Sequence, residues 1–167
     1  MAQVNNQITP AIWSRTACLY ETDDKRIDIW LIDLENPKFH QLELLSDDEL
    51  VRSKKLIHQS DKDRFVRSRC ALRIILGHCL DVQANTLVFS YGEKGKPALA
   101  MPSLPSTLTL EFNLSHSENK ALIAVSRKRK LGIDISDIKR STSNIAISKR
   151  SFTEAEHHSL IDSPIKE

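Results

Sequence analysis

The chain has 167 residues, and its 24 Lys plus Arg against 22 Asp plus Glu leave a formal net charge of only +2, which excludes a uniformly basic nucleic-acid-binding protein. With 40% hydrophobic and 28% charged residues, 4 Gly and 6 Pro, the composition is globular, and a chain this long buries roughly 70% of its unfolded surface. No apolar run approaches the ~18 residues of a membrane span, and Arg15 is not followed by the hydrophobic stretch of a signal peptide. One domain or two small halves, a cytoplasmic location and no membrane partner are therefore expected. The three cysteines, Cys18, Cys70 and Cys79, form no CxxC pair and are expected to be reduced, inert thiols. Cys70 and Cys79 lie nine apart on a predicted helix, about 180° around it, and should face away from each other.

In chain order, Ile27, Ile29 and Leu31 alternate with Asp28 and Trp30, which predicts a strand buried on its isoleucine face. Ser46 and Glu49 have capping-box spacing and open a helix running to about Ile57. Ser60 is expected to cap a second helix, with Phe65, Leu72, Leu76 and Cys79 as its apolar stripe and arginines on its flanks. Leu87 and Phe89 suggest a short strand, and Gly92 and Gly95 punctuate the loop that ends at Pro97. Leu108, Leu110, Phe112 and Leu114 alternate with Thr109, Glu111 and Asn113, a strand that delivers Ser115, His116 and Ser117 at its end. ALIAV at 121–125 and LGIDI at 131–135, joined by SRKRK, read as a hairpin, with Ile133 and Ile135 on one face and Asp134 and Ser136 about 7 Å apart on the other. After a polar stretch, Thr153 and Glu156 repeat the capping-box spacing and begin a last short helix. The whole is a mixed α and β unit.

The charge is uneven. Residues 1–50 hold four basic and ten acidic side chains, and residues 51–100 hold ten basic and four acidic ones. Arg52, Lys54, Lys55, Lys62, Arg64, Arg67, Arg69 and Arg73 fall within 22 residues, accompanied only by Asp61 and Asp63. A solvated helix face explains such a run, and so does phosphate binding.

FNLSHS followed, after a hydrophobic strand and a turn, by GIDI resembles the 4′-phosphopantetheinyl transferases of the larger, surfactin-synthetase-activating type. The helix with Arg64, the KGKPAL loop and SFTEAE stand, in order, where that family has its arginine, its KP segment and its F-S-x-x-E segment. The resemblance implies an α+β, 4′-phosphopantetheinyl transferase-like fold. It also implies an enzyme that moves the phosphopantetheine arm of coenzyme A onto a serine of an apo acyl or peptidyl carrier protein, releasing 3′,5′-ADP, with Mg²⁺ as its metal. Phosphoryl transfer of this kind needs cations, oxygen ligands for the metal and a base.

By that resemblance Asp134 is the central metal ligand, offering a hard carboxylate oxygen to an ion whose other positions go to diphosphate and water. The family usually has Glu two residues later, where this chain has Ser136, a weaker ligand. Glu156 corresponds to a further metal-site glutamate, although its spacing from Thr153 also suits local capping. His116 and Ser115 correspond to contacts with coenzyme A's phosphates, as do Arg64, Lys96 and Arg52. For Arg67, Arg69 and Arg73 the solvated-face reading is kept, and Arg127, Lys128, Arg129 and Lys130 read as an ordinary turn. Ser117 beside His116 does not make a hydrolase, because no GxSxG elbow is present and strand neighbours point apart.

Family members continue into a W-x-x-K-E-A-x-x-K helix, which follows none of these residues, so the family's base is expected beyond position 167 and no catalytic base is identified. On this reading residues 1–128 are a complete first α/β half and 129–167 only the start of the second. Expected consequences are a slower enzyme, since a general base is worth roughly 10²–10⁴-fold, and an apolar face left exposed or covered by self-association. Two alternatives stand beside the enzyme. One is a non-catalytic remnant that binds coenzyme A or carrier protein. The other is a nucleic-acid-binding module built on the arginine-rich helix, which the near-neutral charge and 5% aromatic content disfavour.

Overall fold

The computed structural model describes residues 3–5, 26–93, 95–100, 110–127, 129–137 and 144–162, with the backbone alone for 3–5 and 144–146. Cys18, Leu108 and Thr109 at the start of the expected strand, Lys128 in the basic turn and Pro164 to Glu167 lie outside the described residues. The chain divides into two compact units, Met1–Ile135 and Ser136–Glu167. Helices and largely antiparallel strands together make the α+β fold that the residue patterns imply.

The first unit contains strands β1 (Gln3–Asn5), β2 (Ile27–Asp33), β3 (Phe89–Tyr91), β4 (Pro97–Leu99), β5 (Leu110–Ser117) and β6 (Lys120–Arg127), and helices α1 (Asp47–Lys54) and α2 (Gln59–Leu80). Its main sheet has the order β1-β2-β6-β5, parallel between β1 and β2 and antiparallel elsewhere, while β3 and β4 pair as a separate hairpin. β6 is the inner strand, and Ala121, Ile123, Ala124, Val125 and Ser126 are all buried, as a strand covered on both edges and both faces requires. On β2 the buried side chains are Trp30 and Ile32, whereas Ile27, Ile29 and Leu31 are half-buried, the reverse of the expected face. Trp30 and Ile32 join the core shared with Leu72, Ile75 and Leu76 of α2, so the helix, rather than the isoleucine repeat, decides which face is dry.

α1 opens with the expected capping box: the Glu49 carboxylate accepts from both the Ser46 N–H and its hydroxyl, each at 3.2 Å. It ends at Lys54, three residues early, because bonds from Lys55 N–H to Arg52 O and from Leu56 N–H to Ser53 O tighten the last turn and leave Ile57 88% exposed. α2 starts at Gln59, with His58 rather than Ser60 at its N-cap, since the N–H groups of Asp61 and Lys62 both reach His58 O.

The expected amphipathic α2 with a cationic rim is not what forms. From Val66 to Leu80 the helix is buried nearly all round, including both Cys70 and Cys79. Arg73 and Arg69, read as solvated, are 1% and 6% exposed. The cause is Glu49 of α1, which is itself buried and receives Arg73 Nε at 2.7 Å, with Arg69 Nε at 3.9 Å. The rest of the Arg73 fork donates to Ala84 O, Leu87 O and Ser46 Oγ. Arg67 also turns inward, donating to Leu34 O at 2.6 Å. Past the helix, Asp81 takes a left-handed φ of 54° and the chain doubles back so closely that a Cβ on Gly77 would lie 2.9 Å from Val82 O.

The hairpin forms between β5 and β6, around Glu118 (φ 49°) and Asn119, not between 121–125 and 131–135. Both edges of β6 are already taken, by β2 and by β5, so residues 131–135 cannot pair with it. They run instead as an extended segment outside the sheet, in which Leu131, Ile133 and Ile135 are half-buried and Gly132 and Asp134 are exposed. The expected alternation is kept without the expected pairing.

The second unit holds α3 (Asn144–Ser151) and α4 (Glu154–Ile161). α4 begins with the expected Thr153 and Glu156 box. α3 occupies what reads in the sequence as a polar connection, and the buried Ser148 hydroxyl lies 2.9 Å from His157 Nδ1, tying it to α4. Among the described residues no helix is long and apolar enough to cross a membrane.

Candidate functional site

The polar face of β5 carries Asn113 and Ser115, alternating with Phe112, Leu114 and His116 on the other. The 131–135 segment hangs from those two side chains. Ile133 N–H donates to Asn113 Oδ1 at 2.9 Å, and Ile135 N–H donates to Ser115 Oγ at 3.2 Å. The Ser115 hydroxyl in turn donates to Asp134 Oδ1 at 2.6 Å, the length of a strong bond to a charged oxygen. The carboxylate on the exposed side of the segment is thus fixed through its own side chain and through both neighbouring amides.

The β3–β4 loop approaches the same segment. Gly95, at φ 73°, lets the loop close through Gly95 N–H to Gly92 O and Gly92 N–H to Lys96 O, and Lys96 Nζ donates to Leu131 O at 3.1 Å. Arg52 belongs to this neighbourhood: its Nη2 lies 4.0 Å from where a Cβ of Gly95 would be, and its guanidinium stacks 5.6 Å from the centre of the Tyr91 ring. Arg69 stacks on Tyr91 from inside, also at 5.6 Å. Arg69 Nη1 and the Tyr91 hydroxyl are buried without hydrogen-bond partners among the described residues. Burial is the main cause that pushes the Tyr91 hydroxyl above its ordinary pKa and the Arg69 guanidinium below its own.

Ser115 and Asp134 are therefore joined directly, Lys96 reaches the same segment three residues earlier at Leu131, and Arg52 lies beside the loop that carries Lys96. Arg64 is held at the β5–β6 turn, donating to Asn119 Oδ1 and Asp61 Oδ1, each at 3.1 Å, while Asn119 also donates to Glu35. His116 is exposed, opposite Ala121, on the strand face away from Ser115. In the second unit Ser136 is exposed, and Glu156 Oε2 accepts from Thr153 N–H at 2.9 Å and its hydroxyl at 2.8 Å. Those bonds, the backbone one foremost, hold the Glu156 carboxyl below its ordinary pKa. Asn113 was given no role by the sequence; the signal available was its two-residue spacing from Ser115, matched by that of Ile133 and Ile135.

Residues 35–128 match the family described as 4′-phosphopantetheinyl transferase, N-terminal, a span that covers α1, α2, β3, β4, β5 and β6. The chain belongs to the 4′-phosphopantetheinyl transferase family. It is 36% identical over 141 residues to the 4′-phosphopantetheinyl transferase HetI of Nostoc sp., a match covering 83% of this chain and 59% of that protein. It is 34% identical over 133 residues to slr0495 of Synechocystis sp., whose name assigns it provisionally to the same transferases, covering 79% of this chain and 53% of that protein. The chain thus spans little more than half the length of these curated relatives. The Ser115 to Asp134 bond is where the two motifs FNLSHS and GIDI meet.

Proposed function

We propose that this chain supplies the coenzyme A-binding part of a cytoplasmic 4′-phosphopantetheinyl transferase, with residues 1–128 as its first half and 129–167 opening its second. The reaction is transfer of the phosphopantetheine arm of coenzyme A to a serine of an apo acyl or peptidyl carrier protein, with release of 3′,5′-ADP. The observation that carries this reading is the Ser115 to Asp134 contact, in a chain of this family: a carboxylate held in place on the exposed side of its segment, with Lys96 of the β3–β4 loop bonded to that segment at Leu131.

Mg²⁺ suits the donors. Among the described residues no three His, Cys, Asp or Glu side chains form a group that could hold a metal. Mg²⁺ is commonly bound by one or two carboxylates, with substrate phosphate and water completing its octahedron. Asp134 would hold it, and the resemblance extends the ligand set to Ser136 and Glu156. When bound, the metal would offset charge growing on the diphosphate. The chain's own contribution is to hold that diphosphate: Lys96 and Arg52 as cations at the β3–β4 loop, and Arg64 and His116 as further phosphate contacts.

Incubation with apo carrier protein, coenzyme A and Mg²⁺, followed by intact mass measurement of the carrier, tests the proposal. Gain of one phosphopantetheine supports it. An unchanged carrier at high chain concentration rejects transfer, and a parallel titration with coenzyme A alone then decides whether binding survives without it.

A further inference from the structure

We infer that Asn113 is a positioning residue for Asp134, acting through the backbone of the segment that carries it; this rests on the proposed role of Asp134. Among the described residues the 131–135 segment joins no strand ladder: β6 already pairs on both sides, and the segment meets β5, the end strand of the sheet, through side chains. Its two inward amides nevertheless have acceptors at the spacing a parallel strand would supply. Ile133 and Ile135 are two residues apart, as are Asn113 and Ser115, and both pairs run in the same chain direction. Side chains of β5 take the place of a missing backbone ladder.

The two supports differ. Ser115 touches the carboxylate itself, so changing it alters the Asp134 oxygen directly as well as the Ile135 amide. Asn113 accepts from the Ile133 amide, one residue before Asp134, and among the described residues has no hydrogen bond to the carboxylate, so it affects it through position. Without it, the segment is pinned at Ile135, at the Asp134 carboxylate through Ser115 and at the Leu131 carbonyl held by Lys96, and the backbone that leads into Asp134 gains freedom. A cation site centred on the Asp134 carboxylate is sensitive to this, since any ordering that the chain has not supplied must come from binding.

Amide exchange and metal binding on the full chain test the inference separately. In Asn113→Ala, exchange at Ile133 should rise about tenfold, the loss of one amide hydrogen bond, while Ile123 in β6 keeps its protection. Asn113→Asp retains the side-chain acceptor and should restore protection at Ile133. Mn²⁺ alone, followed by electron paramagnetic resonance, should bind Asn113→Ala several-fold more weakly than the unaltered chain. If Asn113→Ala does not fold, a hydrogen-bond scalar coupling between Ile133 nitrogen and Asn113 Cγ, sought in the unaltered chain beside couplings of the β2–β6 ladder, decides. Unchanged Ile133 exchange, unchanged Mn²⁺ affinity in a folded variant, or absence of that coupling overturns the inference. Release of Ile133 in a chain whose unaltered form takes up no Mn²⁺ overturns it too, and shows that the proposed metal role of Asp134, rather than the side-chain ladder, is what failed.

Discussion

Arg73 places its Nε 2.7 Å from Glu49 Oε2 inside the core, at a separation of 24 residues. This pair joins α1 to α2, and the remaining Arg73 donors fix the chain that leads into β3 at Ala84 and Leu87. Burying an ion pair yields little net stability, because desolvation opposes the attraction. Its removal from one side only is another matter. Arg69 and Arg73 both face Glu49, so loss of that carboxylate leaves two buried cations without a counter-charge.

Glu49→Ala should therefore destabilise the first unit by about 3–5 kcal/mol, a large share of the roughly 5–15 kcal/mol typical of a domain. Glu49→Gln keeps shape and an acceptor and should cost less. Urea titration followed by far-ultraviolet circular dichroism measures both, and a Glu49→Ala midpoint equal to that of the unaltered chain would count against the pair's role.

The same residues show what the sequence could and could not reveal. Both capping boxes, Ser46 with Glu49 and Thr153 with Glu156, are legible because each closes within one helical turn. The inward turn of Arg69 and Arg73 is not, because it depends on a carboxylate from another helix, and a run of arginines reads as solvated until that partner is placed. GIDI shows its alternation in the sequence, yet its exclusion from a hairpin with β6 follows from strand order, which no local pattern contains. Motif order alone singled out Asp134 and Ser115 as candidates. Their direct bond, and the part of Asn113, needed the fold.

Cys70 has its Sγ 3.1 Å from Gln41 O, and burial raises its thiol to a pKa of about 11. At pH 8 the thiolate fraction is then on the order of 10⁻³, since each pKa unit above the pH lowers it about tenfold. Iodoacetamide at that pH should leave the Cys70 peptide unmodified in the folded chain and label it in urea. Mass mapping of the digest reads the outcome, and labelling in the folded chain would show that α2 opens.

Glu156 has a folded pKa below the ordinary glutamate value because Thr153 donates two hydrogen bonds to it. A group lowered on folding stabilises above its unfolded pKa, near 4.3 for glutamate, and that contribution is lost as the pH falls through the lower folded value. Protection of the first amides of α4 should accordingly decline below about pH 4. In Thr153→Ala the amides should be less protected at neutral pH and should decline less on acidification. Exchange rates collected between pH 3 and pH 7 check this, and parallel profiles for the two chains would contradict it.

Asp134 and His116 project from opposite sides of the β5 neighbourhood, one fixed by Ser115 and the other exposed beyond Phe112 and Leu114. If Asp134 assists coenzyme A binding through a divalent cation, then removing the carboxylate and removing the cation delete the same interaction. Asp134→Ala should weaken coenzyme A binding in the presence of Mg²⁺, and addition of EDTA should weaken that variant no further. If His116 contacts phosphate directly, EDTA should weaken His116→Ala by the same factor as the unaltered chain, as independent contributions add. Calorimetric titration of the three chains, each with Mg²⁺ and with EDTA, completes the cycle. An EDTA effect as large in Asp134→Ala as in the unaltered chain would mean that the cation is held elsewhere, whereas no EDTA effect in any chain would mean that binding of coenzyme A proceeds through the cationic side chains alone.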